Sequence, residues 1–555
     1  MKRIVYLFIT VLFCSMAKAQ PESWAKKAAK SLFTVKTFDA NGALIGSGCG
    51  FFISENGNAV CNFAPFNGAA KAIVIDAAGK EYPVDYIIGA SQDYDIAKLH
   101  VNTKKCMPLE VTDGAMSNSK MWLLPYALKN PQTLEGTVEK VEKVASDYDY
   151  YTIAMAAAPE NAVGCPLLNT QGQVVGILQA GGSDGKQYAV SARMASDMKA
   201  TGLSANDPTL KLTSIKKALP DDAQEALVAL YVCSATLDSL AMNALVDDYV
   251  AKFPSSVDGY VYRATRAFSG FDFASADADM QRAVKLGDNK DDAHYNYAKM
   301  ILDKVVYLAD KPFEAWTLDK ANAEIDAAIA VQPLPAYRQL KAQVVFAQTN
   351  YSESAAIYQS LIDEGSQTAE NYFGIARCRE MLNDTTACLA MLDSAVATFS
   401  RPYLKEAAPY ILARGQMMMN CGKYRQAVND FNDYEQLMVT LVNDNFYYLR
   451  SQAEAKGRLF KQALDDLKKA SSINPSNTLY LAERASLELR VGLNDDAIAT
   501  SNEILQLDST LSDGYLFLGI AQCVKGQKEE GLKNLRKAKD LGDSQAQTFI
   551  DKYSK

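Results

Sequence analysis

From about Asp221 to its last residue the chain repeats itself. Small residues recur in pairs twelve positions apart: Ala264 and Ala276, Ala342 and Ser354, Ala376 and Cys388, Gly415 and Ala427, Ser451 and Ala463, Ala485 and Ala497, Gly519 and Gly531. Apolar residues around each pair fall at helical spacing, in units of about 34 residues. A unit of this kind is two helices crossing closely, and a bulky side chain at either small position would push them apart. Tyr260, Tyr372, Tyr447 and Tyr515 stand four residues before the first small residue, placed to plug the gap to a neighbouring helix. Pro254, Pro333 and Pro475 fall where the second helix ends, since proline cannot continue a helix. No single hairpin buries its own apolar face, so the units must stack into a superhelical solenoid. The spacing predicts about nine hairpins and a C-terminal capping helix.

These residues resemble the tetratricopeptide repeat (TPR) pattern. One unit, over 297–333, carries extra residues around Pro312, and another is lengthened over 399–408. The resemblance implies a groove lined by the first helix of each unit, with a protein or peptide as its ligand. Arg263, Arg414, Arg450 and Arg484 recur just before the small residue of their units. They are the candidate ligand contacts; a solvated or salt-bridged helix face is the other reading of the same pattern.

The first part of the chain has a different texture. Short runs rich in β-branched and aromatic residues, at 31–37, 49–53, 72–75 and 174–178, are separated by glycine turns. Many short strands of this kind predict an all-β barrel or sandwich. The polar stretch 201–220, with Asn206-Asp207-Pro208, is the expected linker.

Within this part the run 44–54 (LIGSGCGFFIS) is similar to the opening of a trypsin-like protease of the HtrA type. Further matching segments follow in order: 61–69 (CNFAPFNGA), 93–97 (DYDIA), 161–169 (NAVGCPLLN), 171–177 (QGQVVGI) and 188–190 (YAV). The resemblance implies a double β-barrel. It also implies three catalytic groups: a serine, an imidazole to accept its proton, and a carboxylate to orient the imidazole. Here the family's histidine falls on Ala64 and its serine on Ala162 or Val163; Asp95 alone matches. Gly164-Cys165 replaces the glycine pair beside the serine, which disturbs the expected oxyanion hole. Cys165 is the best rival nucleophile, but a thiol needs a base. The chain has two histidines, His100 and His294. The first is expected on a strand and the second in the repeats, so no base is expected at the site. Asp95 is then expected to cap a turn or accept backbone N–H bonds.

Lys2 and Arg3, the apolar run 4–13 and Ala17-Lys18-Ala19 together read as a signal peptide cleaved after Ala19. The run is shorter than the ~18 apolar residues of a spanning helix. Bulky Phe13 before Cys14 argues against a lipoprotein site. The expected setting is periplasmic or extracellular, without stable membrane insertion. Cys49 and Cys61 flank a turn at Asn56-Gly57 and are read either as a disulfide across adjacent strands or as a reduced pair. Cys378 and Cys388 are a second, weaker pairing. No CxxC spacing is present, and with two histidines neither a metal site nor a cofactor is expected. A net charge of -8 argues against a nucleic-acid partner.

The expectation is therefore a multidomain chain: signal peptide 1–19, trypsin-like double β-barrel 20–200, linker 201–220 and TPR array 221–555. The functional reading is an exported, non-catalytic protein-binding scaffold. Two others stand beside it: an active HtrA-type serine endopeptidase with a TPR substrate-binding domain, and a regulator of another protease.

Overall fold

In the computed structural model the described residues are 24–128, 131–145, 147–183, 185–286 and 290–555. The expected signal peptide lies outside them. The chain divides into two compact units, Met1–Leu286 and Gly287–Lys555.

The first unit opens with twelve strands. The first six are β1 (Leu32–Phe38), β2 (Leu44–Phe52), β3 (Asn58–Cys61), β4 (Lys71–Asp76), β5 (Glu81–Ser91) and β6 (Ile96–Val101). They close a barrel in the order β1-β2-β3-β6-β5-β4. The next six are β7 (Lys120–Leu123), β8 (Leu134–Val144), β9 (Tyr148–Met155), β10 (Pro166–Leu168), β11 (Val174–Leu178) and β12 (Gln187–Ser191). They close a second barrel, β10-β11-β12-β9-β8-β7. Side chains alternate faces along each strand. Phe52 thus enters the first barrel's core with Phe33, Phe66 and Leu99. Its neighbour Phe51 turns to a second cluster with Leu168, Ile177 and Val190 of the other barrel.

The stretch 201–220, expected to be a linker, is not a free tether. Leu210 and Ile215 are buried in the first barrel's core. Ile87 N–H donates to Lys216 O at 2.8 Å and Ala218 N–H to Ile87 O at 2.9 Å. Thr213 Oγ1 donates to Ala69 O at 2.9 Å. The segment runs through two 3₁₀ turns, Ser204–Asn206 and Leu210–Leu212, and then bridges β5 at Ile87 and Lys217, so Leu210 and Ile215 reach the core while most of its polar residues stay outside.

Two helix pairs complete the first unit: α1 (Ala223–Ser234) with α2 (Ser239–Lys252), and α3 (Val257–Ser269) with α4 (Phe273–Ala283). Each starts on a side-chain cap. Asp222, Asp238, Ser256 and Asp272 accept from the backbone N–H three residues on.

Among the described residues the second unit holds seven helix pairs, from Lys290–Tyr307 with Leu318–Val331 to Ser512–Val524 with Lys528–Asp540, and a closing helix Ala546–Ser554. The extra residues near Pro312 lengthen the connection inside the first of these pairs, where Trp316 is buried against Tyr297. The small pairs sit at the helix crossings. A Cβ on Gly519 would stand 2.8 Å from Gly531 O, and one on Gly531 would stand 2.7 Å from Gly519 O. Ser354, the one hydroxyl at such a second position, turns the contact into a hydrogen bond to Ala342 O at 2.8 Å.

Candidate functional site

The cleft region where the resemblance places catalysis is built by the 3₁₀ turn Ala64–Phe66 after β3, by Asp95 before β6, and by the loop ahead of β10. Asp95 Oδ1 accepts from Phe63 N–H at 2.9 Å and Ala64 N–H at 2.6 Å. Its backbone is left-handed, with φ 43°, a conformation that Asp tolerates better than most residues. Burial raises its carboxyl above the usual range, opposed by these two bonds and a third from Asn62. The carboxylate thus ties the turn to β6, and the position of the family's histidine holds exposed Ala64. Pro65 follows and lies against β2: a Cβ on Gly46 would meet Pro65 Cα at 2.9 Å, so that strand needs glycine there.

Ala162 is fully buried. The loop's donors are turned inward. Ala162 N–H donates to Pro159 O at 2.9 Å, Gly164 N–H to Leu178 O at 3.0 Å, and Cys165 N–H to Ala162 O at 2.9 Å. An oxyanion hole needs such N–H groups aimed at open space above the nucleophile. Gly164, with φ +85°, is packed so closely that a Cβ would lie 2.4 Å from Cys49 O.

Cys165 is no exposed nucleophile. It is fully buried, and its contact with Cys49, together with burial, pushes its thiol well above the usual range. His100 lies further along β6, with Nδ1 3.0 Å from Asp85 Oδ2 and Nε2 2.8 Å from Asn56 O, its ring stacked on Tyr86. His294 belongs to the second unit, where Nδ1 lies 2.6 Å from Glu324 Oε2.

The Cys49–Cys61 disulfide is not formed; all nine described cysteines are free thiols. Adjacent strands alternate their side chains, and Cys61 pairs with Gly50 rather than with Cys49. Cys61 therefore faces the first barrel's core, while Cys49 faces the second barrel's cluster and donates to Asn161 O at 2.9 Å. Cys378 and Cys388 are likewise free.

The four repeat arginines are paired with carboxylates of their own units, and Arg263, Arg414 and Arg450 also reach Asp247, Asp393 and Glu435 of the preceding helix pair. Arg263 makes a two-pronged pair with Asp279, at 2.8 and 2.7 Å. Arg414 does the same with Asp430, at 2.8 and 2.7 Å, and Arg450 with Asp466, at 2.6 and 3.0 Å. Arg484 instead bonds Glu488 at 2.8 Å, whose other oxygen accepts from Thr500. Arg450 is 4% exposed, which leaves it little surface for a ligand. For Arg263, Arg414 and Arg450 the partner lies sixteen residues on, in the facing helix of the same pair, a signal present in the sequence and missed there.

Residues 46–177 match the family model of the trypsin-like peptidase domain. The TPR repeat-containing thioredoxin TDX of Arabidopsis thaliana is 35% identical over 102 residues, 18% of this chain and 27% of that protein. Small glutamine-rich tetratricopeptide repeat-containing protein 2 of Saccharomyces cerevisiae is 26% identical over 95 residues, 17% of this chain and 28% of that protein. The match thus spans little more than a quarter of either relative. Solved structures that resemble part of the chain include the Rv3671c protease of M. tuberculosis in its active form, 17% identical, with TM-score 0.29 over 36% of this chain and 86% of that one. Another is the serine endoprotease of Yersinia pestis, 18% identical, with TM-score 0.29 over 32% and 65%. The chain carries a trypsin-like peptidase domain of two six-stranded barrels, followed by a helical region that fits a TPR array.

Proposed function

We propose that this is an exported, non-catalytic scaffold: a peptidase-type domain without its chemistry, coupled to a helical array that binds a protein or peptide. The observation that carries it is the loop of 161–165. It presents Ala162 and Val163 where the family needs a hydroxyl, and its N–H groups at 162, 164 and 165 are spent internally. Ala64 supplies no base, and Asp95 is occupied in capping the turn that would have carried one. Replacing both members of a serine–imidazole pair leaves only a small residual rate. The repeat arginines hold the hairpins together, so ligand contacts of the array fall on other residues of the first helices. Among the described residues no helix is long and apolar enough to cross a membrane. Export itself rests on the N-terminal segment, with processing after Ala19.

The test is direct. The full chain is incubated with an unfolded casein-type substrate and a serine-reactive fluorophosphonate. No cleavage and no labelling are expected. Cleavage with labelling, both lost on one substitution within 162–165, would establish the active-endopeptidase reading instead. N-terminal sequencing of the processed protein should begin at Gln20.

A further inference from the structure

The stretch 201–220 and the first helix pair enclose a groove of about 580 Å³ within the first unit. Its apolar wall includes Ile215, Leu237, Ala241, Ala244 and Leu245. Alanines at 241 and 244 face the groove where leucines would close it. Leu237, 40% exposed, lines it just ahead of α2. The volume falls in the range of small-molecule sites, about 300–1,000 Å³, and the lining mixes apolar side chains with hydroxyls and lysines.

The polar groups point to one sign of charge. Three lysines line the groove, Lys211, Lys216 and Lys217, against a single carboxylate, Asp248. Asp248 is taken by Lys216. Lys217 is half-buried and, among the described residues, pairs with no carboxylate; its Nζ donates to the neutral carbonyl of Thr213. Cys233, on the same wall, is buried as well. Burial shifts the Lys217 amine below its usual range, and a carboxylate placed beside it would favour the charged form. Buried charges are ordinarily paired.

We propose that this groove binds an amphiphilic carboxylate, with its carboxylate on Lys217 Nζ and its alkyl or aryl part against Leu237, Ala241, Ala244 and Leu245. The α1 and α2 walls have their backbone groups bonded within the helices and present mainly apolar side chains to the groove, which suits an alkyl or aryl group.

The experiment uses the full chain and calorimetric titration with octanoate, decanoate and decanol below their aggregation concentrations. Decanoate is expected to bind at one site, tighter than decanol, and each CH₂ from octanoate on should strengthen binding roughly fourfold. Lys217→Met keeps the stem and removes the charge. It should weaken decanoate by about tenfold or more and bring it level with decanol. Ala244→Phe should abolish both. Thermal unfolding of each variant shows whether it is folded; should Ala244→Phe be unfolded, Lys217→Met decides alone. Equal binding of decanoate and decanol by the wild type, or unchanged binding by Lys217→Met, overturns the proposal. So does the absence of saturable binding, or displacement of decanoate by an apolar pentapeptide with a free C-terminus at lower concentration than by octanoate.

Discussion

Glu454 makes a sharp prediction. It lies one turn after Arg450 in the helix Asp444–Lys456, fully enclosed, with Oε1 3.9 Å from Arg450 Nε and Oε2 without a hydrogen-bond partner. Arg450 spends its guanidinium on Asp466 and Glu435. One buried cation thus faces three carboxylates, and Glu454 has the poorest contact. Burial first, and the nearby charge of Asp466 second, push its carboxyl from 4.5 to about 8. A folded-state value above the unfolded one means that the native chain holds an extra proton between these limits. The contribution to stability is full below pH 4.5 and is lost as pH rises through about 8. Within that window stability falls by up to about 1.4 kcal/mol per pH unit. Because buried sites relax around a new charge, a total loss on the order of 3 kcal/mol is the working figure. Glu454→Gln mimics the protonated acid. Denaturant unfolding of wild type and variant, followed by far-UV circular dichroism from pH 4 to 9, isolates this group. The two should coincide near pH 4, separate as pH rises, and differ by that amount above pH 8 with the variant more stable. Hydrogen exchange in peptides of 444–473 should show the same gap locally. A difference independent of pH, or a variant less stable at pH 9, refutes the assignment.

Other outcomes follow from the same contacts. Asp95→Ala removes the acceptor for two backbone N–H groups and should cost about 1–3 kcal/mol of barrel stability, read by near-UV unfolding; an unchanged midpoint would remove its capping role. Gly519→Ala puts a methyl 2.8 Å from Gly531 O and 3.0 Å from Leu535 N. It should cost about 1–3 kcal/mol, seen as early opening of the last helix pairs in hydrogen exchange. Under native conditions exposed Cys421 should react with a maleimide while Cys165 does not, each site read by peptide mass spectrometry. Prompt labelling of Cys165 would return it to the list of possible nucleophiles.

The parts legible in the sequence were those fixed by local steric rules. Small pairs such as Gly519 and Gly531 must lie at a helix crossing, whatever the rest of the fold. The glycine turns and β-branched runs limited the first part to a barrel or sandwich, and the resemblance carried by the ordered segments from 44 to 190 implied the double barrel. What stayed hidden depended on which face a side chain takes. Cys49 and Cys61 looked bridgeable because they flank a turn, but a register of Gly50 opposite Cys61 sends the two thiols to different cores. The stretch 201–220 read as a linker because half its residues are polar, and polarity cannot distinguish a segment packed on a barrel from a free one.

The repeat arginines carry the same lesson further. Their position before each small residue was visible, and so were the aspartates sixteen residues on. Separately, each reads as a charge on a helix surface. Placed on facing helices, they form two-pronged pairs whose depth differs from unit to unit. Arg450 is the most enclosed, and its unit alone combines the acid at the sixteenth position, as in the units of Arg263 and Arg414, with the acid at the fourth, as in the unit of Arg484. Lys469, nearly half exposed, adds a second cation that reaches Asp466 and Glu435 at 3.6 and 3.5 Å, while Glu454 Oε2 has no hydrogen-bond partner. The surplus therefore falls on Glu454, because Asp466 already holds both prongs of the guanidinium and Glu435 keeps partial access to water.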